Sequence, residues 1–222
     1  VIPATGGQIA FKDGFLFDDA NTLYALSSDL SGAVVLPSST KRVANCAFST
    51  PNAKITSLKF PGSVSLDLTP GVGAYNLSGL TSFDIDSTSS KYHTGANGIL
   101  LYTTSVGSAS LLIPMGISGI SLANPLIFED TAPHLYLDPL YKHTSIPAIT
   151  LPATCVNFSA NFALKDGLSQ ITLLNSEKVV GVAKSTLQNL SSTIAIKVPS
   201  SLLSQYQADS VWSTVASSLS AI

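Results

Sequence analysis

The chain has 222 residues, a formal net charge of -2 and only 11% charged residues, against about a quarter in an ordinary soluble domain, and its mean hydropathy is positive at +0.37. That balance excludes intrinsic disorder, a coiled coil, a polybasic nucleic-acid binder and an acidic tail. Polarity rests instead on hydroxyls, 34 Ser and 19 Thr, while Arg42 is the one arginine and Glu occurs only as Glu129 and Glu177.

The chain opens on Val1-Ile2-Pro3-Ala4-Thr5, an apolar and uncharged stretch joined by Gly6-Gly7. Residues 1–7 are expected to form an arm that lies along a neighbour's strand edge, an assembly element. A start at Val1 rather than Met reads as a processed terminus. Next, Ile9-Ala10-Phe11 and Phe15-Leu16-Phe17 flank Lys12-Asp13-Gly14, which predicts a hairpin with glycine in the left-handed position of a three-residue turn. Short apolar runs bounded by Gly, Pro and Ser predict strands around 22–26, 33–36, 43–48 and 55–60. Strict alternation in Ser63-Val64-Ser65-Leu66-Asp67-Leu68-Thr69 predicts a half-buried strand with Val64, Leu66 and Leu68 on one face.

From Tyr92 to Phe128 there is no Asp, Glu, Lys or Arg. Repeated Gly, Ser, Thr and Pro interrupt this run, so strands covered on both faces explain it better than a membrane span, which needs about 20 apolar residues. Strands are expected around 83–85, 99–103, 110–113, 126–128, 149–151, 171–174, 179–182 and 194–198. Val156, Phe158, Ala160, Phe162 and Leu164 alternate with polar residues, and the Lys-Asp-Gly turn recurs at 165–167; shared turn chemistry accounts for that recurrence better than duplication. Apolar residues from Leu202 to Ile222 recur at three- and four-residue spacing behind Pro199, predicting an amphipathic C-terminal helix over 199–222, broken near Asp209. A dozen or more short strands read as an all-β fold, a β-sandwich or jelly roll of antiparallel sheets over 8–198, as one body or two sub-domains.

Cys46 and Cys155 are the only cysteines. In an oxidising compartment they are expected to pair, closing a loop worth up to roughly 4–5 kcal/mol; alternation puts Cys155 on the polar side of its strand, near a sheet edge. Asn76, Asn157 and Asn189 each open an Asn-X-Ser sequon, about the number that composition produces by chance, and at least one is expected to be glycosylated. Glu129, Asp130, His134, Asp138 and His143, with Tyr136 and Tyr141 among them, form the one polar cluster with a metal or catalytic look, but their spacing matches no ligand motif, and a loop carrying ordinary solvated side chains is the better reading. Asp84-Ile85-Asp86 lacks the glycine and glutamate of a calcium loop.

No nucleophile elbow, zinc-protease helix, phosphate loop or redox pair is present. The composition resembles that of secreted filament subunits of acid-living microbes and of jelly-roll capsid proteins. The expectation is therefore a structural, self-assembling protein outside the cell, the subunit of a filament or surface layer, with copies of itself as partner and without enzymatic activity, cofactor, nucleic acid or membrane span. A capsid subunit on a virion surface and a carbohydrate-binding or adhesive module, using Tyr92, His93, Tyr136 and Tyr141 toward glycans, are the alternatives.

Overall fold

The computed structural model describes residues 8–66, 76–103, 108–128, 133–137, 140, 146–160 and 167–222. The expected arm at Val1 to Thr5 lies outside these residues, as do Glu129, Asp130, Asp138, Tyr141 and His143. The chain divides into two compact units, one of residues 1–94, 98–100 and 112–116, the other of 95–97, 101–111 and 117–222.

The first unit contains β1 (Ile9–Lys12), β2 (Phe15–Asp18), β3 (Thr22–Leu26), β4 (Gly32–Val35), β5 (Arg42–Val43), β6 (Ile55–Phe60), β7 (Ser65–Leu66), β8 (Ser82–Ile85) and β9 (Tyr92–Thr94). β1, β2 and β3 pair antiparallel. Thereafter β3, β5 and β7 run parallel in one ladder, and β4, β6 and β8 in another. Val34, Leu58 and Phe83 stand in register and are buried, as are Leu23 and Val43. Phe60 stacks on Phe83 with ring centroids 6.0 Å apart and meets Phe48 edge-on at 6.4 Å.

The second unit contains β10 (Leu100–Thr103), β11 (Ser108–Leu112), β12 (Leu126–Ile127), β13 (His134–Tyr136), β14 (Ala148–Leu151), β15 (Asn157–Ser159), β16 (Gln170–Leu173), β17 (Gly181–Val182), β18 (Ala195–Val198) and β19 (Leu219–Ala221), with α1 (Lys184–Gln188) and α2 (Leu203–Ala208). The pairings β12–β14–β16–β18–β19 and β11–β13–β15–β17 are parallel. Leu126, Ile149, Ile171, Ile196 and Leu219 form one apolar column across β12, β14, β16, β18 and β19, at intervals of 22 to 25 residues. The other ladder joins β11, β13, β15 and β17.

The chain is β-rich as expected, but the antiparallel sandwich is replaced by stacked coils. Each coil returns a strand beside the previous one in the same direction, which a tight hairpin cannot do, and neighbours in the ladder are separated by 20 or more residues instead of by a turn. Buried asparagines tie consecutive coils together. The Asn52 amide donates to the Ser27 and Leu30 carbonyls (3.2 and 2.9 Å) while its oxygen accepts from Lys54 N–H (2.8 Å). Asn175 repeats the arrangement in the second unit, donating to the Cys155 carbonyl (2.9 Å) and accepting from Glu177 and Lys178 N–H. Coils also approach closely at Gly79, where a Cβ would overlap the Ala53 carbonyl oxygen.

The C-terminal segment departs from one amphipathic helix. It holds a short 3-10 turn at 200–202, α2, a second 3-10 stretch over Trp212–Ser218 and then β19, which pairs parallel with β18. The break falls at Asp209, as expected: its backbone is extended, and its carboxylate accepts from Val211 and Trp212 N–H at 2.8 and 3.0 Å. The helical residues are thus a crossover between parallel strands, and the apolar spacing that looked like a stripe ends in a ladder residue, Leu219. Trp212 and Tyr206 are locked around one peptide group, for the Trp212 indole N–H donates to the Val180 carbonyl (2.8 Å) and Val180 N–H donates to the Tyr206 hydroxyl (2.9 Å).

Candidate functional site

The antiparallel end of the first unit carries the clearest unpartnered surface. Asp13 and Gly14 both have positive φ, 51° and 87°, and Lys12 pairs directly with Phe15. The turn is therefore the two-residue, left-handed type that matches strand twist, one residue shorter than expected. Opposite residues share a face, so Ala10 with Phe17 and Lys12 with Phe15 point inward, and Phe15 is buried. Ile9, Phe11, Leu16 and Asp18, the partner of Ile9, consequently point to the outer face. All of β1 is exposed, with Phe11 at 61% and Ile9 at 39%.

Hydrogen bonds hold this edge in shape. The Asp18 carboxylate accepts from Ala20 N–H (3.0 Å), Thr22 N–H (2.8 Å) and the Tyr24 hydroxyl (3.2 Å). Burial pushes its pKa up, but these bonds together outweigh it and hold the carboxyl below its usual range; burial and the Asp18 charge push the Tyr24 hydroxyl up. Asp19 accepts from Gln8 N–H at 2.9 Å. Along the inner side of the hairpin runs a cleft of about 340 Å³ lined by Ala10, Lys12, Phe17, Asp19, Asn21 and Pro37, among others. β1 is the terminal strand of its sheet, so its outer edge carries unpaired backbone groups among the described residues.

A second surface lies in the other unit, where His134, Asn157 and Gly181 stand in one register row and Tyr136 and Ser159 in the next. Leu135 and Phe158 are buried between them. Alternation therefore turns the imidazole, phenol, amide and hydroxyl outward, spaced by the roughly 4.8 Å of adjacent strands. Tyr92 and His93 are not part of this row; they lie on β9, where the Tyr92 hydroxyl accepts from Leu66 N–H at 3.1 Å.

Cys46, in the first unit, and Cys155, in the second, are both free thiols in this structure. Each thiol is directed at a carbonyl of its own unit, Cys46 at Tyr24 (3.6 Å) and Cys155 at Asn157 (3.4 Å). Cys155 is fully buried instead of lying at an outer face, because it sits in the turn before β15, where strand alternation does not extend, and burial pushes its thiol up to about 12. Among the sequon asparagines, Asn76 donates to the Phe48 and Ser49 carbonyls (3.3 and 3.1 Å) and Asn189 to the Ala160 carbonyl (2.7 Å), so their amide nitrogens tie coils together; Asn157 is half-buried on β15.

Among the described residues no group of three or more His, Cys, Asp or Glu could hold a metal ion. Asp84 instead pairs with Lys59 at 3.0 Å, and Asp86 accepts from the Thr88 N–H and hydroxyl. No helix among the described residues is long and apolar enough to cross a membrane. The exposed β1 edge was missed by sequence reasoning. Its signal is Phe15-Leu16-Phe17, three apolar residues in succession, of which a strand can turn only alternate ones inward.

No family model matches the chain, and no curated protein does either. Among solved structures it is similar to a leucine-rich repeat protein from Eubacterium ventriosum, at 13% identity and a TM-score of 0.47 over 86% of this chain and 54% of that one. It is similar to the pneumococcal vaccine antigen PcpA, at 14% identity and 0.46 over 96% and 46%, and to a leucine-rich cell surface protein from Faecalibacterium prausnitzii, at 10% and 0.46 over 88% and 60%. The chain spans about half the length of these proteins.

Proposed function

We propose that this is a structural, self-assembling protein of the cell exterior, the subunit of a filament or surface layer. The observation that carries the reading is the β1 edge: four exposed residues, paired with β2 on one side and without a strand partner on the other among the described residues, whose outer face bears Ile9, Phe11 and Leu16. Natural sheets cover, charge or shorten such edges, and an apolar one left open is a template for another chain. The scarcity of charge supports the same reading, because little electrostatic repulsion keeps copies apart and few groups respond to an exposed or acidic medium. Sedimentation velocity across a hundredfold concentration range, with negative-stain microscopy of the same samples, tests it. Concentration-dependent assemblies of defined form are expected, whereas a monomer at every concentration would overturn it.

One observation favours a second reading, a glycan-binding module. The row of His134, Asn157, Tyr136 and Ser159 offers an aromatic ring beside amide and hydroxyl groups at regular spacing, the combination that stacks on and hydrogen-bonds to a sugar. A glycan-array signal from monomeric protein, abolished by Tyr136→Ala, would favour this reading over self-assembly.

A further inference from the structure

Resting on the self-assembly reading, we propose that the partner of β1 is β1 of a second copy, paired antiparallel about a two-fold axis at Ala10. Backbone geometry permits this register and excludes those shifted by an odd number of residues. Lys12 and Phe15 close a two-residue hairpin, so they form a hydrogen-bonded pair, and alternation along an antiparallel ladder directs the N–H and C=O groups of Lys12 and Ala10 toward β2. Those of Ile9 and Phe11 point to the open edge. With Ala10 opposite Ala10 of the second copy, Ile9 of each chain faces Phe11 of the other, and these two pairs form four N–H···O bonds. The two three-stranded antiparallel ends then become one continuous six-stranded sheet.

Side chains fit the same register. Ile9 and Phe11 of both copies fall on one face and, with the two Leu16 side chains, form a single apolar stripe bordered in each copy by Asp18, which stands opposite Ile9. On the opposite face the residues at the axis are alanines, small enough for close approach. Lys12 comes opposite Gln8 of the second copy, whose N–H is held by the Asp19 carboxylate, so a cation meets an anion at each end of the joined strands. A register shifted by one residue would set the outward backbone groups of Ile9 and Phe11 against Lys12 and Ala10 of the second copy, whose own groups point to β2, and would place Lys12 against the apolar stripe. The contact is closed and isologous; larger assemblies use it as the join within a dimeric unit.

Cross-linking of the full chain tests the register. In a Cys46→Ser background, Ala10→Cys puts two thiols in a non-hydrogen-bonded antiparallel pair, with Cα atoms about 4.5 Å apart, within the reach of a disulfide. Mild oxidation is expected to convert this variant to a covalent dimer, while Lys12→Cys stays largely uncross-linked. Phe11→Asp is expected to halve the sedimenting mass with circular dichroism unchanged, and removal of residues 1–7 is expected to leave the dimer intact. If the parent assembles but Ala10→Cys does not cross-link, or if removing residues 1–7 abolishes association, the β1 pairing is overturned and the self-assembly reading stands. A parent that is monomeric throughout overturns both.

Discussion

Asn52 and Asn175 do the same work in the two units. Each is buried, donates to a carbonyl 20 to 25 residues earlier and accepts from N–H groups of its own turn. Truncation therefore leaves polar groups on two coils without partners, and the cost of an unsatisfied buried group exceeds the modest gain of the bond itself. Asn52→Ala and Asn175→Ala are each expected to lower stability by about 2–4 kcal/mol, read as a fall in the urea midpoint at unchanged slope; a loss within measurement error would show that the bridges are incidental. The cysteines give a second test at this scale. Cys46 is partly exposed and Cys155 is buried with a thiol pushed up to about 12, and only a thiolate is nucleophilic. Iodoacetamide on the native protein is expected to modify Cys46 and spare Cys155 until denaturant is added. Failure of both to react without reductant would restore the bridge.

At the scale of elements, strands were legible and their partners were not. The run 22–26 matches β3 and 55–60 matches β6 to the residue, because apolar density between turn residues is a local property. Of the expected run 43–48 only Val43 is a strand residue, since Ala44 to Phe48 turn back through the Ala47 N–H bond to the Ala44 carbonyl. Hairpin turns are also local: Asp13-Gly14 was visible as a turn and misjudged only in length. That turn makes its own prediction. At Gly14, φ is +87° and a Cβ would lie 2.7 Å from Leu30 Cδ2, so Gly14→Ala combines left-handed strain with a clash. A loss of about 1–2 kcal/mol is expected, together with raised amide exchange across β1 and β2 if the hairpin opens first. Substitution without effect on either would mean that the hairpin contributes little to its unit.

At the scale of the whole molecule, the coil repeat escaped the sequence for a physical reason. A parallel ladder asks only for an apolar residue at each rung, satisfied by Leu126, Ile149, Ile171, Ile196 and Leu219 alike, and its loops absorb changes in spacing. Neither identity nor strict period is needed, so a search for repeated motifs finds only the Lys-Asp-Gly turn. The asparagine bridges were invisible on the same ground, because their partners lie a full coil away. The β1 edge was half legible: its hairpin could be read, but the outer face of Ile9 and Phe11 follows only from which side the rest of the unit covers.

The same composition that hid the fold shapes how its stability responds to pH. Charge is sparse, and the Lys59–Asp84 pair is solvent-exposed on both sides, so salt should matter little. Asp18 and Asp86 are held below the usual carboxylate range, Asp18 by bonds that outweigh its burial and Asp86 first by the Thr88 N–H. A depressed folded pKa gives stability that is present above the unfolded value near 4 and is lost as pH falls through the folded one. Cys155 and Tyr206 act at the other end. Burial pushes both to about 12 from ordinary values of 9.0 and 10.0, so both states are neutral below pH 9, and above it the unfolded chain ionises while the native state does not. Their stabilisation is thus full below pH 9 and lost between pH 9 and 12. These groups predict a urea midpoint that is flat from pH 5 to 8 and falls on both sides. The alkaline fall should be the deeper, because the thiol and the phenol are both displaced further from their ordinary values than the two carboxylates. Cys155→Ala removes one of the two responsible groups without adding a charge, so its curve should decline later and less steeply above pH 9 while keeping the parent's acid limb. An alkaline limb identical to the parent's would place the lability outside this core.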